Sequence, residues 1–335
     1  MNSSPDRISR GYKLQPLNAA VWFVFCALLS CTTVRAPQDT GFYPGQLRIV
    51  KAQNLSEQQR RVEARFAAYL ESQTNEAIAR YHAKYGTEIN TDNVRELSID
   101  YAPGGMDAED GATVSARTRW GDAVHEPASA LTREIYRRAL LKETPPNRRR
   151  QVVFVVGGAG VGKTTSIRML TDLRNAVEAS EIVYDTIFAG YRSALERINQ
   201  ALEAGRMASL IIVYRDPIDS FVDGLLPRAK RIGRTLPLDV FVSSHVGALE
   251  TFPRLADTFK DDRRLSFAVI DNSLGVANAK TADVEFIKAT ARKFSREALK
   301  LEVTRALEQA YEKGKKGDKD GISEMLYRAI KGDGA

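Results

Sequence analysis

The chain has 335 residues, 43% of them hydrophobic and 27% charged, with a formal net charge of +7. These proportions exclude a disordered chain and a multi-span membrane protein, and the length allows one large α/β domain with an accessory helical part, or two modest domains. The two cysteines, Cys26 and Cys31, both stand near the amino terminus, so the body of the protein has no disulfide framework and no cysteine-ligated metal.

Residues 1–18 carry Arg7, Arg10 and Lys13 against Asp6 alone, and residues 19–31, AAVWFVFCALLSC, are apolar. That run is shorter than the about 20 residues of a membrane-spanning helix, and a basic segment before a short apolar one has the form of a signal peptide. The ending LLSC resembles a bacterial lipobox, which implies lipidation at Cys31 and a membrane-anchored lipoprotein. The alternatives are an uncleaved interfacial segment or a cytoplasmic protein whose start is misassigned. Residues 32–54, with Pro37, Gly41, Pro44 and Gly45 and no sustained period, read as a linker.

Residues 55–150 read as a helical region. Ser56 with Gln59 is a capping-box pair, and Val62, Phe66, Leu70, Ile78 and Tyr81 predict one long amphipathic helix to about Gly86. The glycine- and aspartate-rich residues 103–122 read as a loop, and residues 127–142 as a helix opened by Pro127. Residues 151–280 form the expected core, with buried strands at 152–156, 182–184, 210–214 and 265–270 and helical patterns between them. Such alternation predicts an α/β fold, a parallel sheet with helices on both faces. Residues 281–335 read as carboxyl-terminal helices: Leu299, Val303, Leu307 and Tyr311 form a stripe, GKKGDKDG breaks it, and a short helix follows at 322–330.

Between the first core strand and a helical pattern stand Gly157, Gly158, Ala159, Gly160, Val161, Gly162, Lys163 and Thr164, followed by Thr165. They satisfy G-x-x-x-x-G-K-[ST] in the context the motif requires. Glycines let backbone N–H groups wrap phosphates, Lys163 is placed to reach the β- and γ-phosphates, and Thr164 to bind Mg²⁺. The expected cofactors are therefore ATP and Mg²⁺. Asp185 closes the next strand and points into the crevice where ligands bind in such sheets; it serves either the metal and substrate or as a cap for the following helix. Arg215, Arg228, Lys230, Arg231 and Arg234 crowd one segment. Arg228 and Arg234 fit a lid whose guanidiniums neutralise a transferring phosphoryl group. His245 reads as a structural histidine.

The stretches GGAGVGKTT, IVYDT, IVYRDP, LPRAKRIGRTLP and AVIDN resemble the zeta-toxin group of P-loop kinases over roughly residues 85–275, with a more distant similarity to chloramphenicol phosphotransferase and polynucleotide kinases. The resemblance implies a parallel sheet of P-loop kinase type and ATP-dependent transfer to a hydroxyl of a small molecule. The group's best-known acceptor is a nucleotide sugar, UDP-N-acetylglucosamine, and an antitoxin protein is an implied partner. One part departs from the pattern: about twenty residues separate Thr165 from Asp185, too few for the strand and helix that carry the family's catalytic aspartate. Upstream, EINTDNVRELSIDYA and VHEPASAL resemble the missing pieces, with Asp92 in an N-T-D turn and then His125, Glu126 and Ser129. The element would then arrive from the amino-terminal side, as in a circular permutation, with Asp92 as the general base. The competing reading is that Asn90 or Asp92 simply caps a helix. Three other readings of the chain stay open: a hydrolysing P-loop NTPase, a nucleic-acid-end kinase supported only by basic charge, and a non-catalytic nucleotide-binding module tethered to a membrane.

Overall fold

The structure, a computed structural model, describes residues 47–332; the leader segment, Cys31 and most of the expected linker lie outside the described residues. Six strands, β1 (Glu88–Asn90), β2 (Arg149–Val156), β3 (Ser180–Asp185), β4 (Met207–Tyr214), β5 (Leu265–Asp271) and β6 (Lys280–Ala282), form one sheet in the order β1-β3-β2-β4-β5-β6. Neighbouring strands are parallel except the antiparallel pair β5 and β6. The expected α/β fold is present. The all-parallel sheet is corrected by β6, a three-residue return strand too short to leave a periodic signal.

Successive strand residues face opposite sides, so the apolar runs feed two cores. Val152, Phe154, Val156, Ile182, Tyr184, Leu210 and Ile212 belong to the larger one. There they meet the helices Glu57–Ser72, Thr74–Tyr85, His125–Leu141, Tyr191–Glu203 and Leu238–Thr258 through residues such as Phe66, Tyr81, Leu131, Tyr136, Ile198 and Phe252. Val153, Val155, Ile211, Val213 and Ile270 face the other side, against Ile167 and the part-buried Leu173 and Val177 of the helices Lys163–Met169 and Thr171–Ala179. Fully burying each such side chain contributes about 1.5–3 kcal/mol. A third cluster joins Phe221, Leu225, Leu226 and Ala229 to Leu238, Phe241 and Val246 and to Leu299, Val303, Leu307, Leu326 and Ile330. The carboxyl-terminal helices Arg296–Lys315 and Glu324–Lys331 thus pack on the arginine-bearing segment 215–234.

Several expectations are corrected. The long amphipathic helix is two helices, broken at Gln73 (φ −128°, ψ 36°), where Thr74 Oγ1 donates to the Leu70 carbonyl at 2.6 Å. Residues 103–122 contain the helix Gly111–Trp120, because the Asp110 carboxylate accepts from the Thr113 N–H at 3.0 Å and caps it. The helix expected from Pro127 begins at His125, with Pro127 in the first turn, where the missing N–H costs nothing. In the described part of the linker, Leu47 is buried in the larger core and the Ala52 N–H donates to Glu63 Oε1 at 2.7 Å. Among the described residues, no helix is long and apolar enough to cross a membrane.

Candidate functional site

At the end of β2 the chain enters the glycine loop. Gly157 (φ 140°) and Gly160 (φ 80°) take backbone conformations that side chains oppose. A Cβ on Gly157 would stand 2.6 Å from the Val213 carbonyl, and one on Gly160 would overlap the Ser220 carbonyl. Among the described residues, the well-formed backbone hydrogen bonds include none donated by the N–H groups of residues 158–162, with Ala159 and Gly160 in a turn. Their carbonyls are partly used: Val161 accepts from Asn272 Nδ2 at 2.7 Å, and Ala159 bonds His245 Nε2 at 2.9 Å. A loop of free amides beside a lysine is a set of donors suited to a polyphosphate.

Lys163 opens the helix Lys163–Met169, and its ammonium reaches back to the Gly157 carbonyl at 3.1 Å and to Asp185 Oδ1 at 3.1 Å. Thr164 and Thr165 are exposed on the first turn of the same helix. Asp185 ends β3, and its Oδ2 accepts from Asn90 Nδ2 at 3.0 Å. The next helix has Gly190 at its cap and begins at Tyr191, so the reading of Asp185 as its cap is set aside. Between them the chain turns at Phe188, a buried non-glycine residue with φ 51°.

Asn90 belongs to β1, which pairs with β3 so that Asn90 lies opposite Asp185. Its Oδ1 accepts from the Asp92 N–H at 2.8 Å, capping the helix Thr91–Arg95. The cap is therefore Asn90, and the Asp92 carboxylate is left for other work. Arg228 Nη2 donates to Asp92 Oδ2 at 2.7 Å, and Arg95 Nη1 lies 3.4 Å from Oδ1. Burial works against ionisation of Asp92, but Arg95, Arg228 and Arg234 outweigh it and hold the carboxyl well below the usual carboxylate range. The side chain keeps 34% of its surface open to solvent.

Behind Asp92 is a drier triad. Arg117 Nη2 donates to Glu96 Oε2 at 2.6 Å, and Arg234 Nη2 to Oε1 at 2.9 Å, with the Glu96 side chain fully buried. Arg95 also donates to His125 Nδ1 at the start of the helix His125–Leu141. Protein packed about the His125 ring and the Arg95 charge lower its pKa, against the pull of Asp92, so the ring is neutral and accepts. Arg95, Arg117, Arg228 and Arg234 thus surround Asp92 and Glu96, leaving a surplus of positive charge.

The structure links the glycine loop, Lys163, Asp185 and Asp92 through Asn90. In place of the expected lid contacts to phosphate, Arg228 and Arg234 are bonded to Asp92 and Glu96; the helix Leu226–Ile232 that carries Arg228 packs on the helix Gly111–Trp120. Glu96, Arg117 and Asn272 were given no role in the sequence reading; Asn90 was read only as a helix cap, a role it has, and its bond to Asp185 was not foreseen. The charged pair between Val94 and Leu97 was the available sign for Glu96; Asn272 stood in the quoted stretch AVIDN with nothing there to give it a role. Among the described residues, no group of three or more acidic or histidine side chains is arranged for a metal ion. Thr164 and Asp185 supply oxygen donors of the kind Mg²⁺ prefers, a fit that needs phosphate oxygens and water to complete it. No protein-family model matches the chain, and no curated protein matches its sequence.

Proposed function

We propose that the protein is an ATP-dependent phosphotransferase of zeta-toxin type, passing the γ-phosphoryl group to a hydroxyl of a small molecule, with a nucleotide sugar such as UDP-N-acetylglucosamine as the first candidate. The observation that carries the reading is the unbroken chain of contacts from the loop of free amides through Lys163, Asp185 and Asn90 to the helix bearing Asp92. Two functions that a kinase must juxtapose, a polyphosphate cradle and a carboxylate, are coupled by one asparagine. The strand order supports a P-loop kinase sheet: β1 lies at the edge, where a strand can be supplied from upstream of the loop without threading the core.

In this reading the amides of residues 158–162 and Lys163 hold the phosphates. Thr164 and Asp185 would hold Mg²⁺, which when bound offsets charge on the β- and γ-phosphates. Asp92, ionised throughout the neutral range, orients the acceptor hydroxyl and takes its proton; phosphoryl transfer depends on positioning and charge neutralisation more than on a strong base. Arg228, already bonded to Asp92, is placed to move between carboxylate and phosphate. Nothing in the proposal depends on an antitoxin or on lipidation at Cys31. The test is incubation of the chain with γ-labelled ATP, Mg²⁺ and a panel of nucleotide sugars. Label is expected on a sugar hydroxyl; release of inorganic phosphate alone, undiminished in D92N, would instead make the protein a hydrolase.

A further inference from the structure

The glycine loop leaves one feature unexplained by its motif. The pattern G-x-x-x-x-G-K-[ST] sets no requirement on its second position, yet that position here is Gly158, and a Cβ on it would stand 2.5 Å from the His245 ring. His245 lies mid-way along the helix Leu238–Thr258 and is 3% exposed. Its ring packs on Phe241, centroid to centroid 4.4 Å, and its Nε2 meets the Ala159 carbonyl at 2.9 Å. A carbonyl only accepts, so the Nε2–H donates. Burial pushes the imidazole down to about 4, with Lys163 adding to the effect and the Ala159 bond opposing it; the ring is neutral under ordinary conditions, with its proton fixed on Nε2.

The peptide plane is rigid and trans, so its carbonyl and the following N–H point in opposite directions. Holding the Ala159 carbonyl toward the helix therefore aims the Gly160 N–H away from it. Asn272, at the end of β5 and fully buried, does the same one peptide further on: its bond to the Val161 carbonyl aims the Gly162 N–H the opposite way. Two side chains from separate elements hold alternate carbonyls inward, and the amides between them are among those that donate no well-formed backbone hydrogen bond. We propose that His245 is a positioning residue for nucleotide binding: it fixes the 159–160 peptide so that the loop presents its amides to phosphate, and Asn272 is its counterpart at 161–162. It acts through the backbone and touches no reacting atom.

This inference rests on the nucleotide-binding reading, and the experiment separates the two. ATP and inorganic tripolyphosphate are titrated calorimetrically into the full chain and its variants at a temperature well below unfolding. Freed to rotate, the loop peptide loses one hydrogen bond's worth of preorganisation, so H245A is expected to weaken both ligands about tenfold. The loss is equal for the two because the defect concerns phosphate alone. H245Q, which keeps a donor near the Nε2 position, is expected to bind within about threefold of the parent. G158A supplies the second measurement. With the histidine present the new Cβ has no room, whereas in H245A it does, so the cost of G158A should shrink at least fivefold in the H245A background. ATP affinity of H245A equal to that of the parent, or a G158A cost identical in both backgrounds, would overturn the positioning role while leaving nucleotide binding intact. A parent chain that binds neither ATP nor tripolyphosphate overturns the nucleotide reading and the inference with it.

Discussion

Replacing Glu96 by alanine is the sharpest test of how the candidate site is held together. Its carboxylate is fully buried between Arg117, 2% exposed, and Arg234, 16% exposed. Removing one member of a buried ion group leaves uncompensated charge and typically costs about 3–5 kcal/mol. Arg117 retains its bonds to the Ala108 carbonyl at 2.6 Å and the Ile232 carbonyl at 3.3 Å, and Arg234 can turn part of its charge to solvent. The lower end is therefore expected, about 3 kcal/mol, which is a large share of the 5–15 kcal/mol that stabilises an ordinary domain. Urea unfolding followed by circular dichroism should show an earlier midpoint at unchanged slope, and the melting temperature should fall by roughly 6–12 °C. The double replacement E96L/R117M removes charge and countercharge together and should regain more than half of the loss. An E96A chain within about 1 kcal/mol of the parent would refute the reasoning, because it would mean that water reaches the triad and screens it.

The remaining predictions concern the reaction and its pH dependence. D92N should lower transfer to the acceptor by about 10²–10⁴-fold, the usual contribution of a positioned proton acceptor, while calorimetric ATP affinity stays within about twofold; equal loss of binding would place Asp92 at the nucleotide instead. K163M removes the cation beside the free amides and should abolish measurable ATP binding with little change in melting temperature, and retention of binding would remove Lys163 from the site. The stability of the chain should fall on acidification below about pH 6.5. His245 titrates near 6.5 when unfolded but about 4 when folded, so the unfolded state takes the proton first. Its contribution is complete above the unfolded value and is lost as pH falls toward the folded one, at up to about 1.4 kcal/mol per pH unit. His125, lowered to about 4 as well, adds a slope of the same sign, so H245Q should remove about half of it in urea midpoints measured at pH 7, 6 and 5; an unaltered slope would show that the His245 ring does not titrate as its burial requires.

Much of the core was readable because burial on both faces writes itself as continuous apolar runs. The segments around Val153, Val183, Ile211 and Val269 needed nothing else to be placed as strands β2 to β5. The glycine loop was readable because phosphate-binding backbone imposes glycine at fixed positions. What failed was geometry that periodicity does not encode. Leu70 and Ile78 keep one helical phase across the break at Gln73, so a stripe of apolar residues passes straight over it. The glycine and aspartate content of residues 103–122 masked the cap at Asp110, a stronger signal than composition. The pairings of Arg228 with Asp92 and of Arg234 with Glu96 join residues 136 and 138 positions apart, and no local pattern points across such a distance.

That separation also has a consequence in time. Ribosomes extend chains at about 5–20 residues per second, so the element carrying Asp92 and Glu96 emerges, with Arg95 and Arg117 close behind, roughly 7–28 s before Arg228 and Arg234, given the 138 positions between Glu96 and Arg234. Strand β1 cannot dock until β3 exists, and β3 follows the glycine loop in the chain. The loop is completed later still, because His245 and Asn272, which hold its carbonyls, both follow Arg228 in the chain. A protein ordered this way is unable to complete its site on a half-made chain, and truncated products ending before residue 228 would lack both the arginine at Asp92 and the side chains that hold the glycine loop.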